Sequence, residues 1–232
     1  MDWLALSPDE WVAVRLSIWV ATWATVISLP FGILIALALA RGNFPGKSLL
    51  NGLVHLPLIL PPVVTGYLLL LTFGRRAPLG QFFEQYLGIV FSFRWTGAAL
   101  ACGVMGFPLL VRAIRLSIEA VDSRLEEAAG TLGANRAWVF ATITLPLMAP
   151  VLGLLAVRDV AVSLQATFTA TYLLTDGGPD RATLLLPIYS FDMGFELLRY
   201  GYASAMMLLG FLACLALGFA QYLVVRRWKL HL

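Results

Sequence analysis

The segment Gly42-Asn43-Phe44-Pro45-Gly46-Lys47-Ser48 carries the residue types of a phosphate-binding loop. A phosphate cradle needs four residues between its glycines, a strand before it and a helix opening at the Lys-Ser. Here three residues intervene, one of them proline, and the flanks are apolar runs. The segment therefore reads as a short turn, with Lys47 as a charge held at a membrane face. Metal chemistry has no ligand set to start from, because His55 and His231 are far apart and lack Cys or carboxylate neighbours at ligand spacing. Cys102 and Cys214 sit inside apolar runs, where a thiol behaves as a small hydrophobe and no disulfide is expected. Glu119, Asp122, Glu126 and Glu127 cluster on a polar segment and read as solvated surface charge rather than an acid–base pair. No Ser, His and Asp arrangement or nucleophile elbow stands out. No catalytic residue, metal ligand or cofactor site is expected, and the chain is read as something other than an enzyme.

Contact chemistry is more legible than bond-making chemistry. In Val121 to Pro146, VDSRLEEAAGTLGANRAWVFATITLP, Ser123 followed by Glu126 has the spacing of a capping box. Leu125, Ala128, Ala129 and Leu132 then recur at i, i+3, i+4 and i+7, so a short helix would present one apolar stripe. A stripe this rich in alanine, with Gly130 and Gly133 beside it, is a poor lipid anchor and suits close insertion into a protein groove. Taken by itself, the pattern fits an ordinary packed surface helix equally well.

The elements that would carry this segment are set by composition. The 232 residues are 60% hydrophobic and 12% charged, about half the charged share of a soluble domain, so lipid is the main solvent. Five runs are long enough to span a bilayer: Trp11 to Ala40, Val54 to Phe73, Thr96 to Ile118, Leu147 to Leu174 and Tyr202 to Val225. Leu184 to Leu198 is a weaker stretch that would dip into the membrane as a sixth element. An outside N-terminus and inside C-terminus put Arg41, Lys47, Arg112, Arg115, Arg124, Arg136, Arg226, Arg227 and Lys229 on the cytoplasmic side. Arg75, Arg76, Arg94, Arg181 and Arg199 count against that orientation. The start of the chain has acids, no basic region and no cleavage site, so no removable signal peptide is expected. With no repeat or linker, residues 1–232 read as one domain with a cytoplasmic loop at 119–146, and nucleic acid is not an expected partner.

Two places in the spans are candidates for a translocation path. Pro57, Pro61 and Pro62 interrupt the second run, and backbone groups freed by proline must be satisfied by neighbouring helices or a water-lined cavity. Pro61, Pro62, Thr65 and Tyr67 are therefore candidate gate residues, with a packed structural kink as the alternative. Arg158 and Asp159 fall inside the fourth run, where charge usually faces a bundle interior or cavity. An oxyanion path would use Arg158 with Ser163, Thr167 and Thr169, whereas a sugar path would use Asp159 and Gln165. The plain alternative has Arg158 snorkelling to the inner interface.

Glu127-Ala128-Ala129, Gly133 after a three-residue gap, and Ile143, Leu145 and Pro146 after a nine-residue gap resemble the EAA signature of permeases in ATP-binding-cassette importers. That resemblance implies an all-α, polytopic permease of the type I importer kind. It would be a multi-pass inner-membrane protein that dimerises, docks ATPase subunits on its cytoplasmic face and receives substrate from an extracytoplasmic binding protein. It also implies that Glu127 and Gly133 shape the docking surface while Ala128 and Ala129 fill the ATPase cleft. Residues Phe31 to Gly153, notably His55-Leu56-Pro57-Leu58-Ile59-Leu60-Pro61-Pro62-Val63-Val64-Thr65-Gly66-Tyr67 and Phe107-Pro108-Leu109-Leu110-Val111-Arg112-Ala113, are similar to molybdate or tungstate permeases. The part around Thr175-Asp176-Gly177-Gly178-Pro179 and Leu186-Pro187-Ile188-Tyr189 resembles carbohydrate permeases instead. The longer resemblance implies an oxyanion substrate, the shorter one a sugar.

Overall fold

The computed structural model describes residues 7–163, 168–175, 178 and 182–229, and those residues form helices and connecting turns with no strand. Helix α1, Pro8–Arg41, opens with Ser7 as its cap. The Ser7 hydroxyl accepts from the Glu10 N–H at 3.3 Å, and the Glu10 carboxylate accepts from the Ser7 N–H. Proline at the first helical position and two acids in the first turn complete the start.

Helix α5, Trp95–Glu119, runs parallel to α1 along most of its length. Ala13, Val20 and Ala24 pack with Ala98, Ala99 and Cys102 near the first end. Ala36 and Leu39 pack with Leu110, Val111, Ile114 and Ile118 near the second. Lipid tails are as apolar as leucine, so helices associate there through close contact rather than expulsion from water. Small residues supply that contact: a Cβ on Gly32 would sit 3.2 Å from the Leu110 side chain, and one on Gly103 would sit 3.0 Å from the Ser28 hydroxyl.

Between these helices lies a correction to the second predicted span. Val54 to Phe73 is not one continuous helix. Helix α2, Lys47–Ile59, and helix α3, Pro62–Phe73, meet at an angle of 114°. Leu60 precedes a proline and is held extended at φ −74°, ψ 141°, while Pro62 is well placed to begin a new helix. Ahead of α2, Gly46 takes φ +91° and Lys47 donates to the Gly42 carbonyl at 3.0 Å, the turn expected for that segment. Helix α4, Pro78–Leu87, was not anticipated. It is fastened by Phe83, whose ring lies 6.1 Å from Phe73 and 5.3 Å from Phe91.

The remaining elements are α6, Ser123–Thr131; α7, Arg136–Val139; α8, Leu145–Ser163; α9, Phe168–Thr175; α10, Leu186–Phe191; and α11, Tyr200–Lys229. The fourth predicted run is thus described as α8 and α9, with residues 164–167 outside the described part. The weak stretch Leu184 to Leu198 is buried in its first part, while Phe195, Leu197 and Leu198 are exposed. Leu184, Leu185, Leu186, Ile188 and Tyr189 share a core with α1, α5 and Met206 of α11. The Leu186 N–H donates to the Ser17 hydroxyl of α1 at 2.8 Å, so this element enters beside α1 below its first two turns. Above it, Tyr202 donates to Glu10 and lies 3.4 Å from the Tyr189 hydroxyl, tying α11, α1 and α10 together.

Helix α3 packs along α9, where Gly66 allows the closest approach: a Cβ there would lie 3.2 Å from both Cα and O of Ala170. Gly66→Val should lower stability in detergent by about 1–3 kcal/mol through overpacking. Gly52→Val, where an added Cβ meets nothing within 4 Å, should leave the melting temperature unchanged or raised. Thermal unfolding of the two variants side by side checks the contact.

Candidate coupling surface and translocation path

Helix α6 begins one residue earlier than the capping-box spacing indicated. Asp122 is the cap, and its Oδ1 accepts from the Arg124 N–H at 2.9 Å. Ser123 is the first helical residue, and Glu126 faces elsewhere: its Oε1 accepts from the Thr144 hydroxyl at 2.8 Å and its Oε2 lies 3.1 Å from Nε of Arg41. The helix ends in a tight hydrogen-bonded reversal. The Gly133 N–H bonds the Gly130 carbonyl at 3.0 Å and the Ala134 N–H bonds the Ala129 carbonyl at 3.1 Å, with Gly133 at φ +89°. A Cβ at Gly133 would meet nothing within 4 Å, so its left-handed backbone, not crowding, requires the glycine.

After this reversal Asn135 caps α7, its Oδ1 accepting from the Trp138 N–H at 2.7 Å. The chain then passes through a π turn, Phe140–Thr144, before α8. Pro146 has no N–H to donate and its ring would crowd the Thr142 carbonyl in a regular helix; the wider turn places one more residue ahead of it.

These turns fold the segment around an open groove of about 640 Å³ lined by Leu125, Ala128, Ala129, Leu132, Gly133, Ala134, Asn135, Trp138 and Ile143. All four stripe residues line it. Leu132 is 88% exposed, an unusual state for leucine outside lipid. Of the predicted coupling residues, Ala128, Ala129, Gly133 and Ile143 line the groove and Glu127 is exposed on the same helix. Leu145 instead joins the core between α1, α5 and α8, and Pro146 is exposed at the start of α8. Leu132, Asn135 and Trp138 were not singled out as site residues. The leucine was already visible as the last member of the stripe.

Among the described residues, the candidate path residues are not gathered in one place. Pro61 and Pro62 are exposed at the α2–α3 elbow, and Tyr67 is 57% exposed. Thr65 is buried on a different side of α3, and its hydroxyl has no hydrogen-bond partner among the described residues. Such a group costs about 1–3 kcal/mol unless something meets it. Arg158 is half-buried and about 18 Å of helix beyond Pro146, well inside an apolar layer roughly 30 Å thick. It continues the face of α8 that exposes Leu147, Val151 and Leu154. The side chains of Asp159 and Ser163, and all of Gln165 and Thr167, lie outside the described residues.

Residues 28–230 match the family described as binding-protein-dependent transport system inner membrane component. The chain belongs to that family. As an inner-membrane transport component it is similar to the molybdenum transport system permease protein ModB of Escherichia coli strain K12, 56% identical over 147 residues. That match covers 63% of this chain and 64% of the relative, just under two thirds of its length. ModB of Haemophilus influenzae is 50% identical over 182 residues, 77% of this chain and 78% of that protein. The fold is that of type I importer permeases. A chain of a bacterial transporter that imports the acidic polysaccharide alginate superposes with a TM-score of 0.78 at 18% identity, over 96% of this chain and 80% of its own.

For this family member the α6 geometry makes a paired prediction. Gly133→Ala should loosen the end of α6 by about 1–2 kcal/mol, the usual cost of a left-handed alanine. Gly130→Ala, inside the same helix and meeting nothing, should firm it by about 1 kcal/mol. Hydrogen exchange over residues 123–134 should therefore speed up in the first variant and slow in the second.

Proposed function

We propose that this chain is the permease subunit of an importer for molybdate or a related oxyanion such as tungstate. In this reading residues 1–232 act as one permease domain, paired with a second copy. An ATPase subunit docks on each α6–α7 groove, and an extracytoplasmic binding protein delivers the substrate. The observation that carries the reading is the groove: an exposed alanine and leucine surface built by the signature residues, at the end of the molecule that also holds Arg41 and Lys47. Alternating access follows as rigid movement of helices when the docked ATPases close and draw the two α6 segments together. The oxyanion assignment is supported by two molybdenum permeases at 50% identity or more. Arg158 supplies a cation inside the span, with Pro61, Pro62, Thr65 and Tyr67 at the elbow of the path, and Asp159, Ser163, Gln165 and Thr167 as further members.

A carbohydrate importer is the second reading, favoured by the resemblance around residues 175–189. Substrate-stimulated ATP hydrolysis separates the two. The permease is reconstituted in lipid with its ATPase and binding protein, and molybdate is compared with a panel of sugars. Stimulation by molybdate is expected; stimulation by a sugar alone would replace the oxyanion reading. Glu127→Lys should abolish the stimulation while leaving membrane insertion intact. Arg158→Gln should reduce molybdate transport at least about tenfold, the scale of one lost charge-assisted hydrogen bond.

A further inference from the structure

We infer that Glu126, the residue beside the signature glutamate, is the latch that transmits movement of the docking helix to the membrane helices. The inference rests on the docking reading above and concerns a different side of α6. Only residues 120–122 connect α6 to α5, and a helix so tethered could swing without moving the spans. Glu126 prevents this by using both oxygens on two different elements. Its Oε2 pairs with Nε of Arg41, in the last turn of α1, at 3.1 Å. Its Oε1 accepts from the Thr144 hydroxyl at 2.8 Å, in the π turn that leads into α8.

Arg41 carries the linkage to a third helix. Its terminal nitrogen donates to the Ile118 carbonyl at 3.1 Å and to the Val121 carbonyl at 3.0 Å, at the open end of α5. One ionised pair thus joins α6 to α1, α5 and the root of α8. The Arg41 and Glu126 side chains are 31% and 21% exposed, so the pair is shielded more than an ordinary surface pair, and Thr144 is 1% exposed. Charge-assisted bonds that lock a planar guanidinium against a carboxylate resist displacement better than neutral ones. Glu127, by contrast, is exposed. The two adjacent glutamates divide the work: one faces the partner, and the other holds the helix that the partner moves.

The test uses the full complex in proteoliposomes and reads oxyanion transported per ATP hydrolysed, together with ATPase co-purification. Alanine keeps α6 helical, so Glu126→Ala should still co-purify with the ATPase and hydrolyse ATP within about twofold of the parent. Its transport per ATP should fall by about fivefold or more, the scale of a partly shielded ion pair. Thr144→Val, close in shape to the original, should show a smaller loss of the same sign and guards against misfolding of the first variant. Glu126→Gln, able to keep one bond to each partner, should lie between. Arg41→Ala combined with Glu126→Ala should cost less than the two single changes added together, because the ion pair they share is lost only once. An unchanged ratio in both Glu126→Ala and Thr144→Val would overturn the latch. So would loss of ATPase co-purification in Glu126→Ala, which would make that residue part of the docking face. Continued ATPase co-purification with Leu132→Glu would instead overturn the docking reading itself.

Discussion

The parallel contact between α1 and α5 is the constraint on which the rest of the structure depends. Lipid offers no hydrophobic drive for helix association, so the contact holds only where small side chains let two helices approach. Ala13, Ala24, Gly32 and Ala36 on one helix, with Ala98, Ala99 and Cys102 on the other, supply that approach over most of the membrane thickness. Because the helices are parallel, their last turns lie side by side, while α1 extends past the start of α5, whose Trp95 sits against Trp19. At one end Arg41 can reach the last carbonyls of α5, and α6 hangs from both. At the other, α10 fits against α1 and is covered by α11 through Tyr202 and Glu10.

A second constraint is that backbone groups within lipid need partners inside the protein. The α2–α3 elbow breaks a helix at that depth, and the chain manages it by using proline where a donor is absent anyway. Pro61 caps α3 and Pro62 opens it. The close approach of α3 to α9 at Gly66 then fixes the second arm. A gate placed at this elbow would have one rigid, packed arm and one whose proline face is exposed, an arrangement suited to movement as a unit.

Much of this was legible in the residues, and the parts that were not share a cause. Long spans such as α1, α5 and α11 announce themselves by length and composition, and the α6 stripe by its helical period. The 114° elbow did not, because hydropathy sums along the chain and is blind to direction; Leu60-Pro61-Pro62 marked a break but not its angle. Helix α4 was missed because it is short and its fixed residues are aromatic, joined to Phe73 and Phe91 at a distance in sequence. Glu126 was read as a cap and as surface charge because its partners, Arg41 and Thr144, come from elements brought together only by the α1–α5 contact. Local spacing identifies what a helix can offer; tertiary packing decides which side is used.

The claim that the α6–α7 groove is an ATPase seat on the cytoplasmic face is tested most directly at Leu132, the most exposed large residue lining it. Leu132→Cys would be made with Cys102 and Cys214 replaced by alanine, and labelled with a membrane-impermeant maleimide in inside-out and right-side-out vesicles. The account predicts labelling only in inside-out vesicles, and loss of that labelling when the ATPase subunit is bound. Labelling from the outer side, or labelling unchanged by the bound ATPase, would contradict it.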